Sequence, residues 1–90
     1  MLTLQSIARP HPEVVCELVE GEAVLIVPER AQTFVLNAVG AQVWQLLDGE
    51  RSLSLIADDL CAAFDVSRSQ ASSDLLELIE QFVARDLVTL

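Results

Sequence analysis

Lysine is absent from the chain. Only five arginines offset fourteen aspartates and glutamates, which leaves a formal net charge of −9 over 90 residues. Affinity for nucleic acid rests on clustered Lys and Arg that neutralise phosphates, so the composition argues against a nucleic-acid partner and equally against an anionic membrane surface. Long apolar runs are missing too. The longest spans residues 23–28 and is broken by Pro28, far short of the roughly 18 residues of a membrane-crossing helix. Residues 1–12 hold one arginine and no apolar stretch of the signal-peptide kind, so the expected location is the cytoplasm.

Reactive residues are equally scarce. Cys16 and Cys61 form no C-x-x-C pair and sit in apolar surroundings, so they read as small packed thiols rather than as a disulfide or metal ligands. The single histidine, His11, lies between Pro10 and Pro12 with no other ligand at useful spacing. The three glycines are isolated, which rules out a phosphate-cradling loop. The serines have only that distant histidine as a base. Asp58 and Asp59 are adjacent on a predicted helix, where neighbours point about 100° apart and do not converge. The expectation is a chain with no catalytic centre, no metal and no organic cofactor.

What the chain has in quantity is apolar side chain: 52% of residues, with a mean hydropathy of +0.45. The length suits one domain, and a domain of this size buries only about 60% of its unfolded surface. The surplus implies either a rich core or an apolar surface kept for a partner. Residues 1–12 read as a flexible tail, because Arg9-Pro10-His11-Pro12 favours extended backbone. Residues 13–90 read as the folded domain. Glu13–Val27 has the pattern of a β-hairpin turning at Glu20-Gly21-Glu22, with Gly21 free to take positive φ. Val24 to Val27 are all apolar, which suits a central strand or one covered on both faces. Pro28-Glu29-Arg30 breaks it, and Gln32–Leu36 forms a third strand.

Three helices follow. Asn37 caps the first, over 38–48, with Val39, Val43, Leu46 and Leu47 on one face, Trp44 at the edge of that stripe and Gly49 past the end. Ser52 caps the second, with Leu53, Ile56, Ala57, Leu60, Cys61 and Phe64 inward and Leu55 pointing away. Ser67 caps the third, over about 68–85. Its apolar residues Ala71, Leu75, Leu76, Leu78, Ile79, Phe82 and Val83 spread over an arc of about 160°, wider than the roughly 100° one core contact needs. Either a flank meets a partner or the helix is central. The order predicts an α+β, winged-helix-like fold: an N-terminal three-stranded antiparallel sheet followed by a three-helix bundle. As a DNA reader its third helix would present Asp74, Glu77 and Glu80 to phosphates, which disfavours that use.

The stretch from Leu36-Asn37 through Gly40, Val43-Trp44 and Leu46-Leu47 to Asp48-Gly49 resembles the PqqD-like family. That family is named for the pyrroloquinoline quinone biosynthesis protein D, and its members are also called RiPP precursor peptide recognition elements. Arg51-Ser52-Leu53, Ile56-Ala57, Phe64-Asp65-Val66 and the run from Asp74-Leu75 to Leu87-Val88 match the family's later segments in order. One departure is Asp86, where the family often has Gly; Asp tolerates left-handed backbone better than most residues, so the helix end is expected to survive. Pro28-Glu29-Arg30 and Leu36-Asn37 look like the quinone-cofactor branch, while Val39-Gly40 and Trp44 look like lasso-peptide and other peptide-maturation branches.

The resemblance implies a stand-alone, non-enzymatic element that binds the leader of a ribosomally made precursor peptide. It also implies delivery to a separate modifying enzyme, such as a radical-SAM protein or a peptidase. The leader would add as a strand to Gln32, Thr33, Phe34, Val35 and Leu36, against Ala71, Asp74, Leu75 and Leu78 of the third helix. A structural adaptor using Leu55 and Trp44 as a protein-facing patch is the alternative, and a homodimer is compatible with either. Two outcomes test the composition. Duplex DNA should give no gel-shift complex at physiological salt, and untagged protein should carry no stoichiometric metal. A persistent complex or an equimolar metal would contradict this reading.

Overall fold

The structure is a computed structural model that describes residues 2–90. Its first long element is the expected hairpin. Strand β2 (Val15–Val19) pairs antiparallel with β3 (Glu22–Val27), Val19 opposite Glu22. The two residues between them, Glu20 and Gly21, both have positive φ, 51° and 83°. That is the turn whose twist matches the strands it joins. A 3-10 turn over Pro28–Arg30 leads to β4 (Gln32–Leu36), which pairs with β3 on its other side. The sheet order β2-β3-β4 makes the apolar second arm the central strand and leaves β4 as an edge. Ala23, Leu25 and Val27 face inward and are fully covered, while Val24 and Ile26 are half-buried on the outer face.

Helices α1 (Ala38–Leu46), α2 (Leu53–Phe64) and α3 (Arg68–Ala84) follow, so the α+β order is the one expected. Each begins at the predicted cap. Asn37 Oδ1 accepts from Gly40 N–H at 2.9 Å, Ser52 Oγ from Leu55 N–H at 3.4 Å and Ser67 Oγ from Gln70 N–H at 3.0 Å, each satisfying a donor the helix cannot. The Asp48 carboxylate accepts from the Arg51 and Glu50 N–H groups, both at 2.9 Å, and bends the chain between α1 and α2. These bonds, the Arg51 one foremost, hold its acid strength above that of an ordinary aspartate. Arg68 ties α3 to α2 through Asp58 Oδ1 at 2.7 Å and Ser54 Oγ at 2.8 Å. Asp58 is exposed and forms an ion pair with Arg68.

Residues 2–12, expected as a tail, lie against the fold. Arg9–Pro10 forms a short strand, β1, antiparallel to β5 (Val88–Thr89), and Ala8 is buried. The carbonyls of Ser6 and Leu4 accept from the N–H groups of Leu53 and Ser54 at 2.9 and 2.7 Å. Those are first-turn donors of α2 that lack partners within the helix. The segment is held because it supplies them, a non-local role that polyproline-like composition does not reveal. Gly49 (φ 78°) sits against Arg9, and a Cβ there would meet the Arg9 Cγ at 3.1 Å.

Trp44 is 7% exposed and meets Phe82 edge-to-face with ring centroids 5.5 Å apart, a favoured aromatic geometry. It belongs to the core rather than to a partner-facing patch, because the turn of α1 that carries it packs against α3's inner side. Leu55, at 54% exposure, does point out as expected. Cys16 and Cys61 are free and half-buried, and burial pushes the Cys16 thiol's pKa up. In urea denaturation, Phe82→Ala should cost roughly 3–5 kcal/mol and Leu55→Ala no more than about 0.5 kcal/mol. Comparable losses for the two would show that the core is misassigned.

Candidate peptide-binding groove

Two contacts fix where α3 lies relative to β4. Arg30, in the 3-10 turn ahead of β4, donates from its two terminal nitrogens to the carbonyls of Arg85 and Asp86, both at 2.9 Å. These are groups at the end of α3, where partial negative charge accumulates and a cation is favoured. Asp86 itself takes a left-handed conformation (φ 57°), so the departure from glycine is tolerated as expected. Arg85 sends its guanidinium back over the Phe34 ring on β4, 5.1 Å from the centroid, a cation–π distance.

β4 packs on β3 and α1, whereas α3 packs on α2 and β5. A cleft of about 310 Å³ opens where β4 runs into α1, with Asn37, Val39 and Gly40 on one wall and Asp74, Glu77, Leu78 and Gln81 on the other. Gly40 makes the close approach possible: a Cβ there would stand 3.1 Å from the Leu36 Cβ. The result is a cleft between the start of α1, just past the free edge strand, and a mixed polar and apolar face of α3.

The residues singled out in the sequence divide among three places. Gln32, Thr33 and Val35 are exposed on the edge strand, with Val35 at 67%, while Phe34 is half-buried beneath Arg85 and Leu36 is buried. Asp74 and Leu78 line the cleft. Ala71 and Leu75 are buried in the core, beside Ile79 and Phe82 on the inward stripe of α3. They support the helix from within rather than forming an open floor. The wide apolar arc of α3 is thus divided between an inward stripe in the core and Leu78, half-buried beside the cleft.

Asn37, Val39, Gly40, Glu77 and Gln81 were not singled out as site residues. In the sequence Asn37 reads as a helix cap and Gly40 as part of the family-like segment. Glu77 and Gln81 were legible only as exposed polar positions, although both lie one turn from Asp74 or Leu78.

No cluster of three or more His, Cys, Asp or Glu residues suited to a metal is present among the described residues. No described helix is long and apolar enough to cross a membrane.

Comparison with known proteins agrees with this architecture. A PqqA binding protein of Xanthomonas euvesicatoria pv. vesicatoria (strain 85-10) is 37% identical over 67 residues, which cover 74% of this chain and 71% of that protein. The structure of TbiB1 in complex with the TbiA(beta) leader peptide superposes with a TM-score of 0.81 at 28% identity, covering 89% of this chain and 93% of TbiB1. The solution structure of the PqqD truncation of Methylobacterium extorquens PqqCD gives 0.84 at 23% identity, with 100% and 96% covered, and shares the fold. The model of the family described as coenzyme PQQ synthesis protein D matches residues 22–88, from the central strand through the three helices to β5, and this chain belongs to that family.

Proposed function

We propose that the chain binds the leader segment of a ribosomally made precursor peptide and carries it to a modifying enzyme. The observation that carries this reading is the unpaired edge of β4, which runs directly into a cleft between the start of α1 and α3. An edge strand offers a row of backbone donors and acceptors, and an extended peptide satisfies them by adding as a further strand. The backbone of Gln32, Thr33, Phe34, Val35 and Leu36 sets register, while Leu78 and Val39 give an apolar lining for side chains and Asp74 a polar rim.

The relatives support the peptide's class. One is named for binding PqqA, and TbiB1, alike in fold over most of its length, holds a leader peptide. Delivery to a separate enzyme, whether a radical-SAM protein or a peptidase, follows from the family's role and from the absence of a catalytic constellation in the sequence. A cytoplasmic setting fits that role. The adaptor alternative loses half of its surface, since Trp44 is in the core.

The test is a titration of ¹⁵N-labelled protein with the leader of the precursor encoded alongside it. Amides of residues 32–36 should shift, and alternate amides along β4 should become protected from hydrogen exchange. Leu78→Ala, checked for folding by circular dichroism, should weaken binding severalfold. A leader that binds while leaving the amides of residues 32–36 unmoved would remove this reading.

A further inference from the structure

The groove-facing side of α3 is chemically graded along its length. At about 100° per residue, Asp74, Glu77, Leu78, Gln81 and Arg85 fall on one side of the helix. The structure puts the first four on the cleft wall and the last over Phe34 of β4. From the N-terminal to the C-terminal end, the stripe passes from two carboxylates through an aliphatic side chain and an amide to a guanidinium.

None of these charges is met by an opposite one. The ion pairs among the described residues are Arg51–Asp48 and Arg68–Asp58, both elsewhere. Asp74 accepts from the neutral Gln70 amide at 2.8 Å, and Arg85 faces an aromatic ring.

On a chain of net charge −9, two carboxylates alone would say little. Arg85 is what makes the stripe informative. Arg30, Arg51 and Arg68 are engaged by carbonyls or carboxylates, and Arg9 packs on Gly49. Arg85 places its cation over Phe34 of β4, beyond the Gln81 end of the cleft and away from the acids. Strand β4 runs the other way to this gradient. Gln32 follows the Arg30 anchor at α3's end, and Asn37, just past Leu36, shares the cleft with Asp74 and Glu77.

We propose that this graded stripe selects the charge order of the bound peptide: a Lys or Arg beside Asp74 and Glu77, then an Asp or Glu beside Arg85. This rests on the leader-peptide reading above. A strand added antiparallel to β4, the better-bonded arrangement, enters at the Leu36 end, so its basic residue comes first. The spacing follows from the helix. The stretch from Asp74 or Glu77 to Arg85 is about 12–16 Å at roughly 1.5 Å per residue. An extended peptide covers that in about four or five residues at roughly 3.3 Å each. The long aliphatic stem of Lys or Arg suits Leu78 and Val39, with its charge carried to the carboxylates. A peptide of reversed order would set like charges together at both ends, which is how a groove of modest apolar area rejects the wrong register.

The experiment is an mRNA-display selection of random dodecapeptides on the full chain, keeping those that shift the amides of residues 32–36 in ¹⁵N spectra. Such peptides should show Lys or Arg about four or five residues before Asp or Glu. Selection on the Asp74→Asn/Glu77→Gln double variant should lose the basic preference only, and selection on Arg85→Gln the acidic preference only. Each variant should weaken a wild-type-selected peptide by roughly threefold to tenfold; the carboxylate variant should melt as the wild type does, and Arg85→Gln, which also gives up the Phe34 contact, should still be folded by circular dichroism. Groove-binding peptides without charge order, or with preferences that survive these substitutions, overturn the proposal and leave the peptide-binding reading standing. A selection in which no peptide moves those amides overturns both.

Discussion

The groove exists because one guanidinium holds the corner of the sheet to the end of a helix. Arg30 donates to the carbonyls of Arg85 and Asp86, groups that the last turn of α3 leaves without intrahelical partners. A planar fork with two parallel donors suits a pair of adjacent carbonyls better than an ammonium would. Because the contact is made at the turn just before β4, it fixes the angle at which that strand leaves the helix. Arg85 then spans the same end through Phe34. At the other end of β4, Gly40 lets the first turn of α1 lie close to Leu36, and the cleft opens between that turn and α3.

Below the groove, α3 is held by a stripe of its own. Ala71, Leu75, Ile79 and Phe82 are all at most 2% exposed, and Phe82 locks against Trp44. A helix held rigid in this way is a preformed wall, which need not be ordered when a partner arrives. The core and the groove are thus two sides of one helix, separated by a rotation of about 100°.

Much of this was legible in the sequence, for physical reasons. Asn37, Ser52 and Ser67 announced their helices because cap chemistry is local, and Gly21 announced the hairpin for the same reason. Strand β4 was recognisable as a short segment after a proline break, and the family likeness named it as the recognition edge. Less accessible were features made by elements distant in sequence. The pairing of Arg9–Pro10 with Val88–Thr89 leaves no periodic trace in two residues. Periodicity placed Ala71, Leu75 and Leu78 on one broad apolar arc, yet which of them the protein covers depends on how α3 is rotated against α2. That rotation left Leu78 beside the groove and took Leu75 inside. Trp44 was read as edge for a like reason: Phe82 closes over it from far along the chain.

The short β1–β5 ladder has a consequence for how the molecule is made. Leu87 and Val88 are buried in the same core as Ala8 and Phe82, and Val88 pairs with Pro10. During synthesis the hairpin and the first two helices emerge with their local contacts available, but the core stays open until these late residues leave the ribosome. Contacts between segments so far apart in sequence form slowly, since the intervening chain must be ordered first. Until then a nascent chain shows much of its apolar content to solvent, the condition under which aggregation competes with folding and chaperones are recruited.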